Sequence, residues 1–151
     1  MRSYLSIANL SARVVAANSA VVFDTINSTN YMTFPTNGDA SIVTIQNTGI
    51  YQYQYAVNGV PQNITPPDQL VFELYNLTTT TVVPGSVFAS EVTTSSLPLL
   101  GVEVVTGFGV AYFDAGTKLQ LRNVSAGGLN SVTLLSSPLV PNASLLFVQI
   151  A

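Results

Sequence analysis

The sequence predicts an all-β fold, a sandwich or barrel of about ten strands with no helix of consequence. Three observations carry this. Apolar residues recur with period two, as in Tyr51-Gln52-Tyr53-Gln54-Tyr55, where tyrosines take one face and glutamines the other. Turn residues cluster between these runs at fairly regular spacing. No segment sustains the i, i+3, i+4 apolar pattern of an amphipathic helix. At 151 residues and without a break in composition, the chain makes one domain with a core of its own.

The elements follow in order. Leu5 to Ala16 reads as a long first strand and Val21-Val22-Phe23 as a short second. Ser41 to Ile45 is β-branched except at Ser41, which suits a pleated, half-buried surface. The Tyr/Gln strand follows, then Leu70 to Tyr75, Val87 to Ser90, Val102 to Phe113, Lys118 to Arg122 and Ser144 to Ile150. Asn37-Gly38 and Asn58-Gly59 read as hairpin turns, because Gly and Asn tolerate the positive φ such turns require. Thr65-Pro66-Pro67-Asp68, Pro84-Gly85, Asp114-Ala115-Gly116 and Ala126-Gly127-Gly128 mark further turns. Gly107 and Gly109 lie inside a strand, the mark of a bulge or of a close backbone approach. The C-terminal strand is apolar and uncharged, so it belongs inside a sheet. Glu73 reads as an outward charge on an edge strand.

Composition narrows the function. Only 7% of residues are charged, 4 basic and 7 acidic, with a net charge of −3, against about 25% charged in an average domain. The polar third of the chain is hydroxyl and amide. Four scattered cations (Arg2, Arg13, Lys118, Arg122) do not make a phosphate-binding stripe, so no nucleic-acid partner is expected. Without His or Cys there is no Ser-His-Asp or Cys-His nucleophile, no ordinary zinc site and no disulfide. No secretory signal, no membrane-spanning segment and no calcium loop is legible. Catalytic, cofactor and metal residues are therefore none, and no enzyme is expected. The seven carboxylates read as solvated turn and edge groups. Six Asn-x-Ser/Thr sequons, at Asn9, Asn27, Asn63, Asn76, Asn123 and Asn142, arise readily in so polar a chain. Thr78 to Thr81 and Thr93 to Ser96 read as polar loops.

Four elements in order resemble a known family. They are the apolar first strand, Gly49-Ile50-Tyr51-Gln52-Tyr53, Gly116-Thr117-Lys118-Leu119-Gln120-Leu121 and Asn142-Ala143-Ser144-Leu145-Leu146-Phe147-Val148-Gln149-Ile150. Together they look like the jelly-roll head of the complement component 1q / tumour necrosis factor-like superfamily, over about Leu5 to Ile150. The closest likeness is to the C-terminal head domain of collagen-like exosporium glycoproteins of spore-forming bacilli, although this chain has no Gly-X-Y repeat.

The resemblance implies a homotrimeric jelly roll with its inner sheets facing a three-fold axis. Burial in such an interface would absorb the apolar excess of the chain. The interface candidates are Tyr51, Gln52, Tyr53, Gln54, Phe113, Leu146 and Val148. Which alternating set faces the axis is open, because a shift of one residue exchanges the two faces of a strand. Residues 1–5 are expected to form a short N-terminal arm and residues 6–151 the head. Met1, Tyr4 and Leu5 are candidate contacts to a next trimer, stacked head to tail. The functional expectation is a structural, self-assembling subunit at a spore surface, its partner being itself and other spore-surface proteins, with no membrane partner. The alternative is a soluble or phage-borne trimeric head that binds a receptor or glycan.

Overall fold

The computed structural model describes residues 2–35, 40–62, 69–91, 102–125, 131–136 and 139–151. Among them there is no helix. The strands are β1 (Tyr4–Asn9), β2 (Arg13–Val15), β3 (Thr25–Asn30), β4 (Met32–Thr33), β5 (Val43–Ile45), β6 (Gly49–Gln62), β7 (Gln69–Asn76), β8 (Thr81–Val82), β9 (Phe88–Glu91), β10 (Glu103–Phe113), β11 (Lys118–Asn123), β12 (Ser131–Leu134) and β13 (Ala143–Gln149). They form two antiparallel sheets. The first has the order β2-β12-β6-β13-β1-β3, with β10 on the other side of β6. The second has the order β4-β5-β11-β7-β8, with β9 also on β7. The strands not expected from the sequence are β3 of six residues, β12 of four, and the two-residue pieces β4 and β8.

Period two decides which side chains meet between the sheets. Tyr51, Tyr53, Tyr55 and Val57 of β6 point inward with Leu145 and Phe147 of β13, and Leu5 and Ile7 of β1. They meet Val43, Ile45, Leu70, Phe72, Leu74, Leu119 and Leu121 of the second sheet. Burying each such side chain is worth about 1.5–3 kcal/mol. Aromatic contacts run through this layer: Tyr53 to Phe147 at 6.5 Å, Tyr51 to Phe113 at 6.1 Å and Phe113 to Phe147 at 6.4 Å between ring centroids. The Tyr55 hydroxyl crosses the sandwich and points at the carbonyls of Ser86 (2.7 Å) and Phe72 (3.0 Å), tying the sheets together. Burial pushes its phenol well above the ordinary tyrosine value, with the neighbouring Tyr53 adding to the effect.

Several expectations are corrected. Asn58-Gly59 is no turn: β6 runs through it, with Asn58 opposite Val104 and Gly59 opposite Glu103. Gly59 is needed for space, since a Cβ there would collide with Val132 and stand 3.1 Å from Leu134 Cδ2. Leu5 to Ala16 is two strands, broken at residues 10–12. Asp24 holds that break by accepting from the amides of Leu10 and Ser11 (both 3.1 Å) and from the Ser11 hydroxyl. Val21 and Phe23 are buried core residues on irregular backbone. Glu73 is not on an edge, because β8 and β9 pair with β7 beyond it. It is buried opposite Arg122. Burial raises its carboxyl above the ordinary value and Arg122 opposes that. Asn37-Gly38, Thr65 to Asp68, Ala126 to Gly128 and Thr93 to Ser96 lie outside the described residues.

The N-terminal boundary also moves. Tyr4 and Leu5 belong to β1, which pairs with β13 on one side and β3 on the other. Ser3 is buried and its carbonyl accepts from the Gln149 amide at 2.8 Å. The head thus includes residues 3–5.

Candidate subunit interface

The outward face of the first sheet is the chain's distinctive surface. The register places its residues in rows. Tyr4, Val148, Gln52 and Val110 stand side by side on β1, β13, β6 and β10. Two residues along, the row is Ser6, Leu146, Gln54 and Phe108. Ser144, Ala56 and Thr106 follow on one side, and Ile50 opposite Tyr112 on the other. No side chain in these rows carries a full charge. Phe108 is 68% exposed, Tyr112 61% and Val110 58%. Exposed large apolar side chains grouped on one uncharged face make it a candidate interaction surface.

The architecture of β10 sharpens the point. It is the edge strand of its sheet, pairing only with β6 among the described residues. An edge strand of 11 residues with no charge between Glu103 and Asp114 invites pairing with another chain unless it is covered. Three of its inward positions, Gly107, Gly109 and Ala111, are small, and at the two glycines the rings of β6 take the space. Gly107 lies opposite Tyr55 and Gly109 opposite Tyr53. A Cβ on Gly107 would stand 2.6 Å from the Tyr55 hydroxyl oxygen, and one on Gly109 2.5 Å from Tyr53 Cζ. The two glycines therefore serve close approach, and the ladder passes them without a bulge.

Beyond β10 the two sheets come together at one end and part at the other. Near the start of β10, Ser90 of β9 donates to Glu103 Oε2 at 3.1 Å and Phe88 packs on Phe108 at 5.5 Å. Near its end a cleft of about 300 Å³ opens between Val110–Phe113 and the segment Thr81–Pro84. A second cavity, of about 240 Å³, lies at the opposite end of the sheet among Gly59, Val102, Leu135, Val140 and Pro141. Leu139 beside it is 87% exposed. Among the described residues neither cavity has a carboxylate in its lining, and there is no cluster of three metal-ligating side chains.

No family model and no curated protein sequence matches the chain. Solved structures do. The Eiger tumour necrosis factor of S. frugiperda superposes with a TM-score of 0.69 at 14% identity, covering 100% of this chain and 92% of that one. Murine APRIL gives 0.64 at 14% identity, over 99% and 100%. The globular domain of zebrafish complement 1qA gives 0.62 at 12%, over 98% and 95%. This chain has the complement 1q / tumour necrosis factor-like jelly-roll fold. At such identities the likeness is one of fold.

The jelly roll divides the sequence-derived interface candidates. Gln52, Gln54, Leu146 and Val148 stand on the outward face. Tyr51, Tyr53 and Phe113 do not: they alternate with the outward set and are buried in the core of the chain. Of the stacking candidates, Tyr4 stands on the same outward face and Leu5 is core, while Met1 lies outside the described residues. Phe108, Val110 and Tyr112 stand on the same outward face and are absent from the sequence-derived set. The signal was present, since the small residues at 107, 109 and 111 mark one face of β10 as inward and leave the bulky set outward.

Three of the sequon asparagines are structural. Asn9 donates to Asn142 Oδ1 and to the Ser11 carbonyl (both 2.7 Å) and accepts from Arg13 Nε at 2.9 Å. Asn142 donates to the carbonyls of Leu135 (2.8 Å) and Ser11 (2.9 Å). Asn123 donates to the Val15 carbonyl at 3.1 Å and accepts from the Ser125 hydroxyl at 2.6 Å. All three are buried, so a glycan there is incompatible with the fold.

Proposed function

We propose that this jelly roll is a non-enzymatic, homotrimeric structural subunit that builds or decorates a bacterial spore surface. The observation that carries the self-association is the uncharged outward face of the first sheet, continued over the β10 edge. A cyclic trimer needs two different, complementary patches on each subunit. The chain presents both: the sheet face around Gln52 and Leu146, and the β10 edge with its aromatic residues and cleft. The spore-surface assignment rests on the resemblance of the sequence to exosporium heads, and a composition without His, Cys or Trp suits a durable external material.

Stacking of trimers remains part of this reading, with altered anchors. Leu5 serves the core and Tyr4 the sheet face, so among the described residues of the arm Arg2, which is exposed, would reach a neighbour from the base. The aliphatic cluster of Val102, Leu135, Leu139 and Val140 at the opposite end is the surface such a contact would meet. Negative-stain electron microscopy of the purified protein tests the assembly. Fibres that give way to discrete trimers when Met1 and Arg2 are deleted support stacking through the N-terminus. Discrete trimers of the full chain remove stacking and leave the trimer. Isolated monomers overturn the reading.

A further inference from the structure

Gln52 and Gln54 present a problem that the rest of the outward face does not. Both are exposed on the central strand β6, and among the described residues neither side chain makes a hydrogen bond. They are flanked by apolar columns, Val110 and Phe108 on β10 and Val148 and Leu146 on β13. Covering this face by a heterologous apolar partner would strand two amides, and each buried amide without a partner is costly.

We propose that each glutamine meets its own symmetry copies, so that Gln52 and Gln54 form two stacked amide layers around the three-fold axis of the trimer. This rests on the trimer reading above and names the residues that specify it. A residue beside a rotation axis faces itself. A carboxylate or ammonium there repels its copies. A carboxamide both donates and accepts, so three of them close a ring head to tail, each N–H reaching the next carbonyl oxygen. The absence of charge from the residues around Gln52 and Gln54 is what a position beside the axis requires. Gln52 and Gln54 lie two positions apart, so their layers are spaced by about 7 Å along the strand. Such buried polar positions fix register and subunit number in other self-associating folds.

The test exchanges amide for carboxyl at nearly constant shape. The Gln52→Glu/Gln54→Glu variant is compared with the unaltered chain and with Thr44→Glu, which adds a charge on the outer face of the second sheet. Light scattering is run at about pH 8 and about pH 4. Clustered carboxyls raise one another's pKa, so at the lower pH the six glutamic acids are largely protonated and can bond as the amides do. The expected result is a trimer for the unaltered chain and Thr44→Glu at both pH values. The double variant should be monomeric at pH 8, with its dissociation shifted by about 100-fold or more in concentration, and trimeric at pH 4. A double variant that stays trimeric at pH 8 overturns the amide layers while leaving the trimer intact. One that is monomeric at both pH values overturns them too, because charge is then not the cause. If the unaltered chain is monomeric, the subunit reading fails and this inference with it.

Discussion

The ring of Tyr55 lies across Gly107, directly opposite it in the β6–β10 ladder, and its hydroxyl reaches the carbonyls of Ser86 and Phe72. Tyr53 lies across Gly109 in the same way. The rings thus occupy the inward side of an edge strand where its own residues at 107 and 109 are too small to fill it. Substituting Gly107→Ala should lower stability by about 1–3 kcal/mol through overpacking, read as a drop in thermal midpoint. Combining it with Tyr55→Leu should recover part of that loss, since the clash is with the ring. Strictly additive effects of the two changes would refute the contact.

Asp24 holds the break between β1 and β2 with its carboxylate. Burial of the group opposes ionisation, but the hydrogen bonds from Ser11, Thr25 and the amides of Leu10 and Ser11 together outweigh it. Its pKa therefore lies below the ordinary 3.8. A folded-state pKa below the unfolded one gives stability that is present above the unfolded value and is lost as pH falls through the folded value. The stability difference between the unaltered chain and Asp24→Ala should be full near pH 6 and shrink below about pH 4. Chemical denaturation at a series of pH values checks this, and a difference constant down to about pH 2 would contradict it.

The buried asparagines should behave as structural residues. Asn142→Ala removes an acceptor from the Asn9 amide and a donor to the carbonyls of Ser11 and Leu135, while Asn9 keeps its bond to the Ser11 carbonyl. The expected cost is about 1–3 kcal/mol. Asn27→Ala, on the exposed surface of β3, should change the thermal midpoint little. Equal effects at the two positions would remove the distinction drawn between buried and exposed sequons.

Much of the fold was legible because alternation survives wherever one face of a strand is buried. Tyr51 to Tyr55 and Ser144 to Ile150 show it directly. The same period cannot tell which set faces the core: Tyr51, Tyr53 and Phe113 are large and aromatic and fit a core or an interface equally. The structure resolves this through the opposite sheet, which supplies Phe72, Leu74 and Leu121 to cover them. Asn58-Gly59 misled because the dipeptide that favours a turn also fits a strand crowded by a neighbour, here Val132 and Leu134. Glu73 misled because edge position depends on β8 and β9, short strands with weak local signals.

Val110→Lys is the sharpest probe of the β10 edge. The side chain is exposed on its own subunit, so the fold should persist with an unchanged far-ultraviolet circular dichroism spectrum. Association should be lost, because the substitution places a charge on the uncharged surface at the β10 edge. Retention of the associated state with Lys at this position would exclude the β10 edge from the contact.

The central claim is that the uncharged face of the first sheet is covered by copies of the same chain. Its most direct test is the solution mass of the unaltered protein, measured by light scattering across a dilution series down to micromolar concentration. Three chains of 15.9 kDa give about 48 kDa, and the account predicts that mass throughout, as expected of an obligate interface. A mass of 15.9 kDa for a folded protein would contradict it.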